Sequence, residues 1–138
     1  MIEISSDKPK LDIDYVHKFL KTSYWAEGIE RDILQKSIDN SFCFGIYRGS
    51  KQLGFARVIT DFTTVAYLAD VFVEPDEQGK GLGRRLIRHI LEREELQGLK
   101  HWHLITADAQ PFYREHGFSA LSDPAKHMEC RIRPVCQE

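Results

Sequence analysis

The stretch "VFVEPDEQGKGLGRRLIRHIL", Val71 to Leu91, sets Gly79, Gly81 and Gly83 between an apolar, β-branched run and a helical-looking one. Glycine inside a helix costs roughly 0.5–1 kcal/mol relative to alanine, so three together at such a junction need a reason. The first N–H groups of a helix lack intrahelical partners, and the helix dipole adds positive potential at that end. Glycine lets a phosphate approach this backbone closely, so a strand feeding a helix through glycines is an anion site. Lys80, Arg84, Arg85 and Arg88 add side-chain charge around the same turn. The competing explanation is a plain turn with a solvated basic face.

The remaining pattern predicts an α/β protein. "IEIS" reads as a first strand, and "LDIDYVHKFLKTS" and "IERDILQKSIDNS" carry apolar residues at helical spacing. "FCFGIYRGSKQLGFARVIT" is a hairpin around Arg48-Gly49-Ser50-Lys51, and "TVAYLADVFV" is a long strand, apolar enough to be central. A helix is predicted from Gly81 to Gln97, closed by Gly98, with Leu82, Leu86, Ile87, Ile90 and Leu91 on one stripe. "HWHLIT" is a strand, and Asp108 is the expected cap of a short helix "AQPFYREHG" that stops at Gly117. Pro111 falls in that helix's first turn. "HMECRIR" reads as a last strand, which gives the order β-α-α-β-β-β-α-β-α-β on a mixed sheet.

Length and charge narrow the function classes. The 138 residues fit one domain, 1–138, with no repeat or linker to divide them. A net charge of −2 gives no whole-molecule reason to expect nucleic acid, and the basic stretch "GKGLGRRLIRH" lacks interleaved aromatics. No run is long enough to span a membrane and "MIEISSDKPK" shows no signal peptide. Three cysteines, Cys43, Cys130 and Cys136, without a C-x-x-C pair suit free thiols in a reducing cytoplasm. His101 and His103 alternate on one strand, but no further metal ligands stand at suitable spacing, so no metal is expected.

Two phosphate motifs fail here. Lys80 is followed by Gly81, which excludes G-x-x-x-x-G-K-[ST], and G-x-G-x-x-G meets Arg84 or Leu86 at its last glycine. What remains is Q-x-x-G-x-G, Gln78 to Gly83, after "VFVEP". This stretch resembles the acetyl-CoA-binding motif of the GNAT superfamily of N-acetyltransferases. "DAQPFYREHGF" is similar to the family's later A-x-x-F-Y-x-x-x-G-F segment, and the two motifs stand in the family's order. "SYWAEG", "IDNSFCFGIY", "GFARVITDF" and "YLADVFV" also resemble one branch of small bacterial members.

The resemblance implies a mixed, mostly antiparallel sheet flanked by helices, with a splayed central strand and a phosphate-binding strand-turn-helix. It implies that Val71, Phe72 and Val73 run along the pantetheine arm of acetyl-CoA. The pyrophosphate would lie on the backbone N–H groups of Gly79, Lys80, Gly81, Leu82, Gly83 and Arg84, with Gln78 opening the motif. An N–H near Val71 would polarise the thioester carbonyl, a one-donor oxyanion hole. Thr106 stands where many relatives place a CoA-contacting Asn, and it is shorter and has no amide donor.

Amine acetylation needs a neutral amine and a proton for the departing thiolate. Tyr113 matches the tyrosine that serves as general acid in many relatives; its alternative role is packing with Phe112 and Phe118. Some relatives carry Glu-Asp on the central strand, and here it reads Ala69-Asp70. A lone carboxylate in an apolar strand is costly to bury unpaired. Asp70 therefore either pairs with an internal donor or meets the acceptor cation. Strand alternation puts Asp70 opposite Val71, and a β-bulge would change that. Tyr24 and Trp25 sit where relatives build the acceptor wall. The expected function is acetyl transfer from acetyl-CoA to a small-molecule primary amine. The alternatives are acetylation of protein N-termini or lysines, or a CoA-binding sensor without turnover. A homodimer is common for the fold.

Overall fold

A computed structural model describes residues 1–132. The chain forms two compact units, one of residues 1–107 and one that begins at Asp108. The first carries a five-stranded sheet in the order β1-β2-β3-β4-β5. Its strands are β1 (Ile2–Ser5), β2 (Phe42–Arg48), β3 (Lys51–Thr60), β4 (Val65–Val73) and β5 (His101–Leu104). The first four pair antiparallel in succession and β5 joins β4 in parallel. Helices α1 (Ile13–Leu20) and α2 (Arg31–Asp39) precede β2, and α3 (Leu82–Leu91) connects β4 to β5. This is the mixed, mostly antiparallel sheet with flanking helices expected from the sequence.

Local chemistry accounts for these elements. Asp12 caps α1 by accepting the Tyr15 N–H at 3.1 Å. The buried Gln52 side chain accepts from the Asp12 N–H at 2.8 Å and donates to the Gly54 carbonyl at 2.9 Å, tying the start of α1 to β3. Val16 and Leu20 of α1, with Leu34 and Ile38 of α2, bury against Cys43, Phe55 and Phe72. A second cluster joins Leu82 of α3 to Ile46 and Leu53. Each fully buried aliphatic or aromatic side chain contributes about 1.5–3 kcal/mol relative to exposure. Cys43 is a free, buried thiol, a small core residue between Phe42 and Phe44.

Three expectations require correction. The long helix ends at Leu91, and Glu94–Leu96 is a separate 3-10 turn. Arg93 between them is extended, pairs with Glu95 at 2.7 Å and lies over the Phe42 and Phe44 rings. The Gln97 amide then caps the Leu91 and Arg93 carbonyls at 2.9 and 2.7 Å, satisfying the helix end without further turns. Asp108 is not a cap: α4 (Gln110–Arg114) starts after Ala109, with no side-chain cap bond and Pro111 in its first turn. Within "HMECRIR", His127 to Ile132 form no strand, and Arg133 lies outside the described residues, as does Cys136. The pattern alternates, but in the described residues no neighbouring strand completes its hydrogen bonds.

His89 on α3 gives a pH prediction. Its ring meets Phe44 edge-on at 6.0 Å, and its Nε2 is buried without a hydrogen-bond partner among the described residues. Burial first, and then the Arg93 charge, push its pKa down, against a smaller pull from Glu92 and Glu95. Its neutral form is the one that the fold favours. The stabilisation is therefore complete above the ordinary histidine value of about 6.5 and lost as pH falls below it. Urea midpoints should drop between pH 7.5 and pH 5.5 more for the native chain than for His89→Leu. Equal drops would show that this ring does not report on acid stability.

Candidate active site

The site starts from a fault in β4. Phe55 pairs with Phe72 and Arg57 with Ala69, so Ala56 faces both Asp70 and Val71. That two-against-one arrangement is a β-bulge, and Asp70 holds its left-handed member at φ +56°. Aspartate is among the few residues that tolerate this conformation. Before the bulge, Tyr67 and Ala69 share a face with Ile59 and Arg57; after it, Phe72 shares that face with Phe55. The bulge thus reverses the alternation and turns Asp70 toward the side of α1 and α2. One Asp70 oxygen accepts from Arg57 Nε at 2.8 Å and the other from Trp25 Nε1 at 2.9 Å. Arg57 also donates to Ser41 Oγ at 3.1 Å. Of the two roles open to Asp70, the internal pair is the one formed here. Burial first, and then the Asp70 charge, push the neighbouring Tyr67 hydroxyl up.

Just before the bulge β4 leaves β5. Their pairing ends at Leu68 with Leu104, while β4 continues to Val73. This is the splay expected of the central strand: among the described residues, Phe72 and Val73 pair with β3 and not with β5. The Phe72 ring is buried, stacked on Phe19 at 3.9 Å with 7° between planes. Thr106 lies half-buried on the segment after β5.

The glycine turn follows on a braced base. Pro75–Glu77 form a 3-10 turn whose Glu77 is buried and grips Arg48 with both oxygens, at 3.0 and 2.9 Å. The Arg48 hydrogen bonds chiefly, with Lys80 at 3.3 Å adding to them, hold the Glu77 carboxyl down at about 2. Gln78 folds back to donate to the Val73 carbonyl at 3.2 Å. Gly79 and Gly81 then take φ of +83° and +81°, and a Cβ at either would have nothing within 4 Å. Gly81 caps α3 without a side chain, leaving the N–H groups of Leu82, Gly83 and Arg84 to begin the helix. The Leu82 side chain is buried in the second core cluster.

Tyr24 and Trp25 lie in the loop between α1 and α2, ring edge to ring face at 5.1 Å and 82°. Tyr24 Oη accepts from the Ala107 N–H at 3.1 Å, beside Thr106. The structure therefore joins Trp25 to Asp70 and Tyr24 to the departing end of β5. Tyr113 belongs to the second unit. There it sits on α4, meeting Phe112 at 5.0 Å and Phe118 at 5.9 Å; the helix ends at Arg114, and Gly117, with φ +97°, lies in the turn that follows. Arg57, Ser41 and Glu77 are the site residues missing from the sequence reading. An arginine inside "GFARVIT", on the strand next to the one holding Asp70, was the available signal for the first.

His101 and His103 place their rings 5.7 Å apart, and among the described residues no three metal-ligating side chains converge. No helix of the described residues is long and apolar enough to cross a membrane.

Comparison with known proteins agrees with this geometry. Residues 39–120 match the family model described as an acetyltransferase (GNAT) domain. The crystal structure of xcc2953, a GNAT-family protein from Xanthomonas campestris pv. campestris, is 38% identical with a TM-score of 0.93, covering 96% of this chain and 94% of that one. The GCN5-related N-acetyltransferase 2, chloroplastic, of Arabidopsis thaliana is 32% identical over 120 residues, 79% of this chain and 44% of the relative. An uncharacterized N-acetyltransferase, ycf52, of Gracilaria tenuistipitata var. liui is 35% identical over 101 residues, 67% of this chain and 54% of the relative. The chain spans about half the length of these two curated relatives. A predicted acetyltransferase from Clostridium acetobutylicum, solved with acetyl-CoA, shares the fold at 15% identity and a TM-score of 0.68. With the splayed strand, the glycine turn on the helix and a family model matched over residues 39–120, the chain belongs to the GNAT family of acetyltransferases.

Proposed function

We propose that the chain transfers the acetyl group of acetyl-CoA to a primary amine of a small molecule by direct attack. The observation that carries this is the pairing of a splayed β4 with two left-handed glycines at the start of α3. The residues fit the ligand. Backbone N–H groups of Gly79 to Arg84 suit a pyrophosphate, and open space at both glycine Cβ positions allows close approach. Val71 to Val73 offer backbone hydrogen bonds to a pantetheine amide. Acetyl-CoA supplies an activated acyl group and a thiol leaving group.

The chain's own groups would do the rest. A backbone N–H near Val71 polarises the thioester carbonyl. Tyr113 gives its hydroxyl proton to the departing sulfur as the amine nitrogen bonds to carbon and the C–S bond breaks. The amine proton leaves through solvent, while the Asp70 carboxylate stays in its pair with Arg57 and Trp25. The free thiols of Cys43 and Cys130 fit a reducing compartment such as the cytoplasm.

Acetyl-CoA should bind and raise the unfolding temperature. Ligand at about 100 times its dissociation constant stabilises by about 2.7 kcal/mol. Calorimetry that finds no binding at millimolar ligand would remove this reading. An amine panel assayed by thiol release then identifies the acceptor.

A further inference from the structure

Tyr24 and Trp25 keep 58% and 43% of their surfaces exposed, yet the polar end of each is fastened. Trp25 Nε1 donates to Asp70 and Tyr24 Oη accepts from Ala107. The loop beneath them is fixed as well. Ser23 is buried, donating to the Leu20 carbonyl at 2.7 Å and accepting the Ala26 N–H at 3.1 Å. These bonds occupy the polar atoms and leave aromatic surface facing outward in one arrangement. Pre-organised aromatic faces attract ammonium groups, by about 0.5–2 kcal/mol according to desolvation.

Asp70 is not available as a free charge for the same task. Its carboxylate is only 9% exposed and is paired with the guanidinium of Arg57, itself 18% exposed. A close pair of opposite charges presents little net field to a third group. The bonds form a chain: Arg57 donates to both Ser41 and Asp70, and Trp25 donates to the other Asp70 oxygen.

We propose that Arg57 and Asp70 are positioning residues that lock Trp25, and that the Tyr24–Trp25 wall takes the cationic end of an alkylammonium acceptor. This rests on the acetyl-transfer reading and assigns its acceptor class. The two views of Asp70 predict opposite effects of removing Arg57. If Asp70 itself binds the cation, freeing it from Arg57 strengthens cation binding. If the wall binds it, loosening Trp25 weakens binding.

The probe is tetramethylammonium chloride, which has the cation and no transferable proton, with sodium chloride as the ionic control. Saturation-transfer NMR on its methyl protons reads binding to the full chain. Acetyl-CoA affinity is measured by calorimetry on the same samples. The native chain should bind the probe, Trp25→Leu should lose it, and Arg57→Gln should weaken it about tenfold, the equivalent of about 1.4 kcal/mol. Acetyl-CoA affinity should stay unchanged in both variants. Acrylamide quenching of tryptophan emission should rise in Arg57→Gln, with Trp102 as the internal reference. If Arg57→Gln does not fold, Trp25→Phe keeps a ring, cuts the bond to Asp70 and should weaken the probe severalfold. No probe binding in the native chain, full binding in Trp25→Leu, or tighter binding in Arg57→Gln overturns the proposal. A chain that binds acetyl-CoA but not the probe defeats this inference alone; one that does not bind acetyl-CoA defeats the underlying reading.

Discussion

Replacing Gly81 by valine should abolish acetyl-CoA binding in a chain that still folds. Gly81 has φ +81°, and valine there adds about 1–2 kcal/mol of backbone strain plus the stiffness of a β-branched side chain. A Cβ at this position meets no atom of the chain within 4 Å, so the protein itself does not resist the side chain. On the proposed function the ligand does, because the added methyl groups would stand where phosphate oxygens approach the first N–H groups of α3. Gly98 supplies the control. It has φ +82°, equally open surroundings, and a place in the turn between Leu96 and β5. Gly98→Val should cost similar stability and leave acetyl-CoA affinity near the native value. Calorimetry on both variants, with melting temperatures alongside, separates strain from obstruction. Native affinity in Gly81→Val would mean that the phosphates lie elsewhere.

The glycine turn was legible because its physics is local. Three glycines, a preceding strand and a following apolar stripe define it without tertiary contacts. The sheet was legible for the same reason through β1 to β5, each a run with its own periodicity. The end of α3 was not, because Gln97 and Arg93 terminate it through side-chain bonds that no periodicity encodes. Asp70 lay between these cases. Its cost as a lone carboxylate in an apolar strand marked it as special, and a bulge was the stated way to turn it. Its partner was marked only by an arginine inside "GFARVIT", since Arg57 stands 13 positions away and meets it only through the β3–β4 register. The same holds for Glu77, which looks like an ordinary acid before a basic turn until Arg48 closes on it. Local conformation can be read from neighbours in the chain, whereas charge pairing across strands depends on register.

Tyr113→Phe should lower turnover by roughly 10²–10⁴, the range for general acid–base catalysis, while acetyl-CoA affinity stays native. The substitution keeps the ring that meets Phe112 and Phe118, at 5.0 and 5.9 Å, and removes only the hydroxyl. The ring packing is therefore kept, and the melting temperature of the variant checks that α4 is intact. A thiol leaves with a pKa near about 8.5, so it departs slowly as a bare thiolate but not prohibitively. That sets the upper bound on the loss, because solvent can still protonate the sulfur in the variant. It also supplies the stricter test. An acetyl donor with a more acidic leaving group needs less help from an acid, so the gap between native chain and variant should narrow with such a donor. A role in orienting the substrate predicts the same loss for every donor. Single-turnover rates with acetyl-CoA and with a more reactive acetyl thioester, at saturating amine, give both ratios. An unchanged rate with acetyl-CoA would return Tyr113 to its packing contacts and leave proton delivery to water; a donor-independent loss would place its hydroxyl in orienting the substrate.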